Sequence, residues 1–148
     1  MKILTKNFGN YSTVTMLLRI ILGIIFFAHG AQKAMGWFGG PGLVAAAEMF
    51  QKSAGIPYPL FLLSTFTELL GGLFVLIGFL TRFFSAGLVI NMAVAVLHVH
   101  LMKGLFSSNG GFEYPLTLLV VSFCIFLIGP GKYSLDNLIF NKNEKPNN

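Results

Sequence analysis

A carboxyl group, Glu68, lies in the middle of an apolar run that extends from residue 57 to residue 80. On a helix, Ser64, Thr65, Gly71 and Gly72 lie three or four residues from Glu68 and therefore share its face. A stripe of small and polar residues is typical of a face that packs against another helix. Because a charge inside a membrane costs about 3 kcal/mol or more, such a carboxyl group indicates function by default. The alternative is a protonated Glu68 that only hydrogen-bonds across helices.

Two histidines, His98 and His100, lie at the end of another apolar run, in the stretch AVLHVHLMKG. Residues two apart on a regular helix point about 200° away from each other. We therefore expect the two imidazoles to have different roles. His98 continues the stripe of Gly87 and Asn91, so we predict that it faces the bundle interior. His100 is predicted to lie at the membrane interface.

His29 and Lys33 are four residues apart and share a helix face. The candidate catalytic residues are Glu68 and His98, and the candidate substrate-binding residues are His29, Lys33, Asn91 and Glu113. A carboxyl group with imidazoles in a low-dielectric pocket can pass protons or hold a polar head group. Two histidines and a glutamate can also bind a transition metal. No spacing here is typical of a metal motif, so no metal site is predicted.

The composition predicts which elements position these groups. Apolar residues make up 55% of the chain, charged residues 10%, and the mean hydropathy is +0.76. A soluble domain carries about 25% charged residues, so this chain is predicted to be an integral membrane protein. The net charge of +5 is typical of contacts with anionic lipids and does not indicate nucleic acid binding. The lone Cys124 excludes an internal disulfide.

Four apolar runs, at about 13–35, 57–80, 83–102 and 112–128, approach the roughly 20 residues that a transmembrane helix needs. We predict an all-α bundle of four transmembrane helices, since continuous apolar runs argue against a barrel. A short interfacial helix is predicted at 42–55. The length of the first run argues against a cleaved signal peptide. One domain covers 1–140, and 141–148 is predicted to be a polar disordered tail. Four glycines are predicted to pack helices together: Gly23, Gly71, Gly72 and Gly78.

The basic residues predict how the bundle is oriented. With four spans, seven of the ten lysines and arginines fall on the side of the two termini. Basic residues favour the cytoplasmic side, so both termini are predicted to be cytoplasmic. Arg19 lies within the first run and is predicted to snorkel towards the cytoplasmic interface. Arg82 is predicted to lie in a tight turn between the second and third spans.

Short motifs in a fixed order resemble those of the DoxX family of small four-helix membrane proteins. They are Arg19-x-x-x-Gly23 with Lys33 beyond, Glu68-x-x-Gly71-Gly72, Gly78 with Thr81-Arg82, Glu113 with Pro115, and GPG-x-x-SLD from Gly129 to Asp136. The resemblance implies a four-helix fold in a bacterial inner membrane, related to a surfeit-locus cargo receptor family. It also implies an association with thiosulfate:quinone oxidoreductase or with quinone and thiol stress.

The residues and the resemblance together predict a membrane subunit in redox metabolism. Its candidate cofactor is a quinone, held in the half of the bundle that carries the histidines. Its partners are predicted to be the lipid bilayer, redox proteins or further copies of the chain. Two alternatives stay open. One is a non-catalytic scaffold or assembly partner, and the other is a small proton-linked transporter that uses Glu68.

Overall fold

The computed structural model describes residues 11–140, which form helices joined by short connections and contain no β-strand. The six α-helices are α1 (Tyr11–Met35), α2 (Leu43–Ala54), α3 (Tyr58–Ile77), α4 (Thr81–Val94), α5 (Glu113–Ile128) and α6 (Leu135–Phe140). The predicted tail at 141–148 lies outside the described residues. The short α6 was not predicted, because its polar first turn after a glycine-rich stretch is also typical of a loop.

Four apolar helices form the bundle. Three of them are long and apolar enough to cross a membrane: Tyr11–Met35, Tyr58–Ile77 and Thr81–Lys103. The fourth, Glu113–Ile128, is apolar but shorter. The prediction of an all-α membrane bundle is confirmed, and α2 lies where the short helix between the first two spans was predicted. The core between the long helices includes Leu22, Phe26, Val75, Leu88 and Ile125.

Helices α1 and α3 pack closely because glycines face each other across their contact. A Cβ atom on Gly72 would overlap the backbone of Phe27, and one on Gly30 would overlap the backbone of Leu69. At Gly23, a Cβ atom would lie 2.6 Å from the Cβ of Leu76. Small residues allow such backbone approach between membrane helices. Polar side chains on these two helices are therefore brought within direct reach of each other.

The turn between α3 and α4 is tight and begins at Gly78, whose φ of 74° is a left-handed conformation. The Gly78 N–H donates to the carbonyls of Phe74 and Val75, which closes α3. The prediction that Arg82 lies in this turn is wrong, because α4 already begins at Thr81. Helix α4 begins this early because the Asp136 carboxylate caps it. The carboxylate accepts hydrogen bonds from the N–H groups of Leu80 and Thr81, at 2.7 and 2.9 Å.

Arg19 belongs to the same end of the bundle, where it forms what we call the Arg19 clasp with Gly78, Thr81, Tyr133 and Asp136. The guanidinium donates to the Tyr133 carbonyl and fills the space that a side chain at position 78 would need. Asp136 in turn donates its N–H to the Gly78 carbonyl at 2.8 Å. Arg19 is only 1% exposed, so the prediction that it snorkels to the interface is wrong. The missing Gly78 side chain gives the guanidinium an interior place instead.

Candidate functional site

Lys33 of α1 and Glu68 of α3 form an ion pair inside the bundle. The Lys33 Nζ atom lies 2.8 Å from Oε1 and 2.6 Å from Oε2 of Glu68. Glu68 is 4% exposed, and the Lys33 side chain is 18% exposed. The close packing of Gly30 against Leu69 places the two charges opposite each other, since these residues are their near neighbours along the helices. The carboxylate is therefore paired, and the alternative of a protonated Glu68 does not describe this arrangement.

Two further elements complete the surroundings of the pair. Asn91 of α4 donates its Nδ2 amide to the Glu68 Oε1 atom at 3.1 Å. The Lys33 Nζ atom also lies 5.3 Å from the centre of the Phe50 ring of α2, at a cation–π distance. A buried ion pair is tolerated only when extra hydrogen bonds satisfy its remaining polar atoms. Asn91 supplies such a bond, and we call Lys33, Glu68 and Asn91 the Lys33–Glu68 site.

The Lys33–Glu68 site borders a cavity of about 900 Å³. This volume is near the upper end of the roughly 300–1,000 Å³ that is typical of small-molecule sites. The walls are mainly apolar and include Phe26, Phe50, Phe61, Leu63, Ile90, Val94 and Leu118. Polar groups that also line the cavity are His29, His98, His100 and Tyr114. The His29 and Tyr114 rings lie 6.3 Å apart. A mainly apolar cavity lined by a few polar groups is the usual form of a ligand site.

The helix carrying His98 and His100 is not a regular α-helix, so the premise of a regular helix at these residues is wrong. Residues Ala95–His100 form a π-helical turn, and Leu101–Lys103 follow as a 3₁₀ turn. Both histidines line the cavity. His100 Nδ1 lies 2.7 Å from the Gly110 carbonyl oxygen, whereas no hydrogen bond joins His98 to the rest of residues 11–140. π-Turns inside helices often mark functional sites.

Similarity to known proteins shows which family the chain belongs to. The family model described as DoxX matches residues 14–101. The chain belongs to the DoxX family. Over 133 residues it is 34% identical to "Putative oxidoreductase CatD" of Bacillus subtilis (strain 168), an alignment that covers 90% of this chain and 92% of that protein. No solved structure matches significantly.

Two further relatives support the membership. This DoxX protein is 31% identical over 138 residues to "Inner membrane protein YqjF" of Escherichia coli (strain K12), covering 86% of this chain and 92% of the relative. It is 30% identical over 134 residues to an uncharacterized protein of Haemophilus influenzae (strain ATCC 51907 / DSM 11121 / KW20 / Rd), covering 84% and 82% respectively. With its apolar helices, the chain is therefore a membrane protein of this family.

Of the six candidate catalytic and substrate-binding residues, five line one cavity and one does not. The five are Glu68, His98, His29, Lys33 and Asn91. Glu113 is not among the lining residues of this DoxX protein. Its Oε1 atom accepts the backbone N–H of Ser107 at 2.6 Å and so ties the preceding loop to the start of α5. The roles of the five in catalysis or substrate binding stay predictions.

Sequence reasoning missed Phe50 and Tyr114. Phe50 is one of 16 phenylalanines, and no pattern distinguishes it from those that face lipid. Tyr114 directly follows Glu113 at the start of α5, where a tyrosine is also typical of a membrane interface. In the part of the chain that the structure describes, no group of three or more His, Cys, Asp or Glu side chains is placed to hold a metal ion.

Proposed function

We propose that this DoxX protein binds a lipid-soluble quinone in the cavity and exchanges protons with the quinone oxygens through the Lys33–Glu68 site. One observation carries the proposal: a hydrogen-bonded ion pair forms part of the lining of a mainly apolar cavity of about 900 Å³. A quinone has the matching chemistry, since it combines a flat apolar ring with two carbonyl oxygens that accept hydrogen bonds.

The Lys33 ammonium group and the Asn91 amide are the donors proposed for a ring oxygen. Both already bind the Glu68 carboxylate, so a quinone oxygen can share them without leaving a buried donor unpaired. Reduction of a quinone to a hydroquinone consumes two electrons and two protons. In the proposal two protons pass in turn from Lys33 to the quinone, and after each transfer Lys33 regains a proton through Glu68 from the histidines that line the cavity. The electrons come from a redox partner protein that docks on this subunit.

The histidines supply the proposed route between the site and water. His29 and His98 are exposed and line the same cavity, with Tyr114 beside His29. Imidazole changes its charge near neutral pH and is suited to relay protons. On the predicted orientation, with both termini cytoplasmic in a bacterial inner membrane, this route opens to the outer side. The relative from Bacillus subtilis, whose name includes oxidoreductase, supports a role in redox chemistry.

The test begins with the purified protein in lipid nanodiscs. Solvent extraction followed by mass spectrometry should recover a quinone from the wild type. The emptied protein should then be titrated with a decyl-substituted benzoquinone. We expect Glu68→Gln to weaken binding at least about tenfold, a loss typical of a charged hydrogen-bonding group.

The matched control is Glu48→Gln. Glu48 also pairs with a lysine, Lys52 at 3.7 Å, but that pair is exposed on α2. Glu48→Gln should leave the affinity for the quinone unchanged. The double variant Lys33→Met/Glu68→Gln buries no unpaired charge and tests the site even if a single variant misfolds. If the folded wild type binds no quinone, or the double variant binds it as tightly as wild type, the proposal is wrong. A scaffold or a proton-linked transporter would then be favoured.

A further inference from the structure

The side of the cavity between α3 and α4 is bordered by large apolar residues that are themselves exposed. On α3 these are Leu60 and Leu63, and on α4 they are Ile90 and Val94. Leu63 is 67% exposed and Ile90 is 66% exposed. A lining residue that is about two-thirds exposed cannot be enclosed by the bundle, so it lies at an opening. The outside surface at this position belongs to two apolar membrane helices, so the opening faces lipid.

The neighbouring contact between helices is closed. The glycines between α1 and α3 bring those two backbones into direct contact at Gly23, Gly30 and Gly72. Between α3 and α4, Gly87 and Thr67 both line the cavity, and a Cβ atom on Gly87 would meet the Thr67 Cγ2 atom at 3.4 Å. The exposed lining residues of α3 and α4 lie beyond Thr67 and Gly87, towards the end of the bundle that carries α2, so the opening extends in that direction.

We infer that this opening is a lateral entrance through which the isoprenoid tail of the ligand passes between α3 and α4 into the bilayer. The inference rests on the proposed function, because it assigns the tail of the same ligand. Among the lining residues, the charged side chains are Lys33 and Glu68, and both lie at the ion pair rather than at the opening. A ligand that fits has one polar ring and one long hydrocarbon chain.

The volume supports the same ligand class. The cavity of about 900 Å³ is much larger than one quinone ring requires, so it has room for the first part of a chain. A soluble, tail-free molecule would leave the apolar walls near Leu63 and Ile90 uncovered. A diacyl phospholipid is a poorer match, because its charged head group prefers the interface to a buried carboxylate.

The test compares two ligands on two matched variants in nanodiscs of the same lipid. The ligands are a tail-free benzoquinone and the same ring with a decyl tail. The variants are Ile90→Trp at the opening and Ile21→Trp as the control. Ile21 is 58% exposed on α1 and does not line the cavity. Because both variants are measured in the same lipid, partitioning of the tailed ligand into the bilayer cancels from the ratio.

We expect Ile90→Trp to weaken binding of the decyl quinone at least about tenfold and to change binding of the tail-free ring by less than about twofold. Ile21→Trp should change neither affinity. Leu63→Trp narrows the opening from the α3 side and should reproduce the result, which keeps the test valid if one variant folds poorly.

Equal loss of both ligands in Ile90→Trp, or no loss of either, would overturn the lateral entrance while leaving the quinone site intact. Failure of the wild type to bind either ligand would instead overturn the proposed function, and the entrance with it.

Discussion

The two ends of the bundle each bury a cation of α1, and they use it differently. At one end, Arg19 is 1% exposed, donates to the Tyr133 carbonyl and occupies the space left by Gly78. At the other end, Lys33 pairs with Glu68 beside a large cavity, and the Lys33 side chain is 18% exposed. The Arg19 clasp ties connecting segments together, whereas the Lys33–Glu68 site leaves space next to its charges.

The difference shows that a buried charge does not by itself mark a ligand site. Arg19 is the more deeply buried of the two cations, yet its surroundings are filled by protein. Lys33 and Glu68 border empty volume that a ligand can enter. Changes at the Arg19 clasp should therefore affect stability alone, and changes at the Lys33–Glu68 site should affect binding even where stability is restored.

The largest effect on stability is expected from removing one partner of the buried ion pair. Lys33→Met leaves the Glu68 carboxylate, which is 4% exposed, without its counter-charge, and should lower the free energy of unfolding by about 3 kcal/mol. Lys33→Met/Glu68→Gln should recover most of that loss and still fail to bind quinone. The free energy of unfolding is measured in mixed micelles, with circular dichroism as the probe of unfolding. If the double variant regained quinone binding as well as stability, the ion pair would have a structural role only.

A smaller loss is expected at the Arg19 clasp. Asp136→Ala removes the cap of α4 and leaves the N–H groups of Leu80 and Thr81 without their acceptor. The free energy of unfolding should fall by about 2 kcal/mol. The affinity of the folded protein for quinone should stay at the wild-type value, and Asp136→Asn should lose less stability because it keeps one acceptor oxygen. If folded Asp136→Ala bound quinone more weakly than wild type, the Arg19 clasp would affect binding as well as stability, and the two ends of the bundle would not differ as proposed.

The smallest effects on stability are expected at the two histidines. His100→Ala loses the bond to the Gly110 carbonyl and should cost about 1 kcal/mol or less. His98→Ala removes no such bond and should leave stability unchanged, but it should weaken quinone binding and couple to Glu68→Gln in a double-mutant cycle. Unfolding curves and quinone titrations of the same preparations separate these effects. Equal effects of both substitutions on binding would mean that the π-turn presents both imidazoles to the ligand.

Several features of the fold and site follow from residue type and period alone. The position of Glu68 within its apolar run, with Gly71 and Gly72 on the same face, indicated a carboxyl group that packs against another helix. The four apolar helices and the short α2 also follow from the length of the runs. These signals are local, and each depends only on neighbours within a few turns of one helix.

What could not be predicted depends on contacts between distant segments. Arg19 and Lys33 are both cations within one apolar run, and nothing nearby shows that one meets the Tyr133 carbonyl and the other Glu68. The π-turn at Ala95–His100 leaves no mark in the apolar pattern, so the histidines were placed on a regular helix. Helix order and rotation decide which side chains share the cavity, and the apolar pattern does not encode them.

The proposed quinone binds at the Lys33–Glu68 site and not elsewhere in the bundle. Photolabelling with an azido-substituted decyl benzoquinone, followed by mass spectrometry of the fragments, tests it directly. We predict that label on the cavity faces of α3 and α4, near Glu68 and Asn91, disappears when excess unlabelled quinone is present, and that Lys33→Met/Glu68→Gln abolishes this competed label. Competed label near Arg19 and Tyr133, or label that excess quinone does not remove from any segment, would contradict the claim.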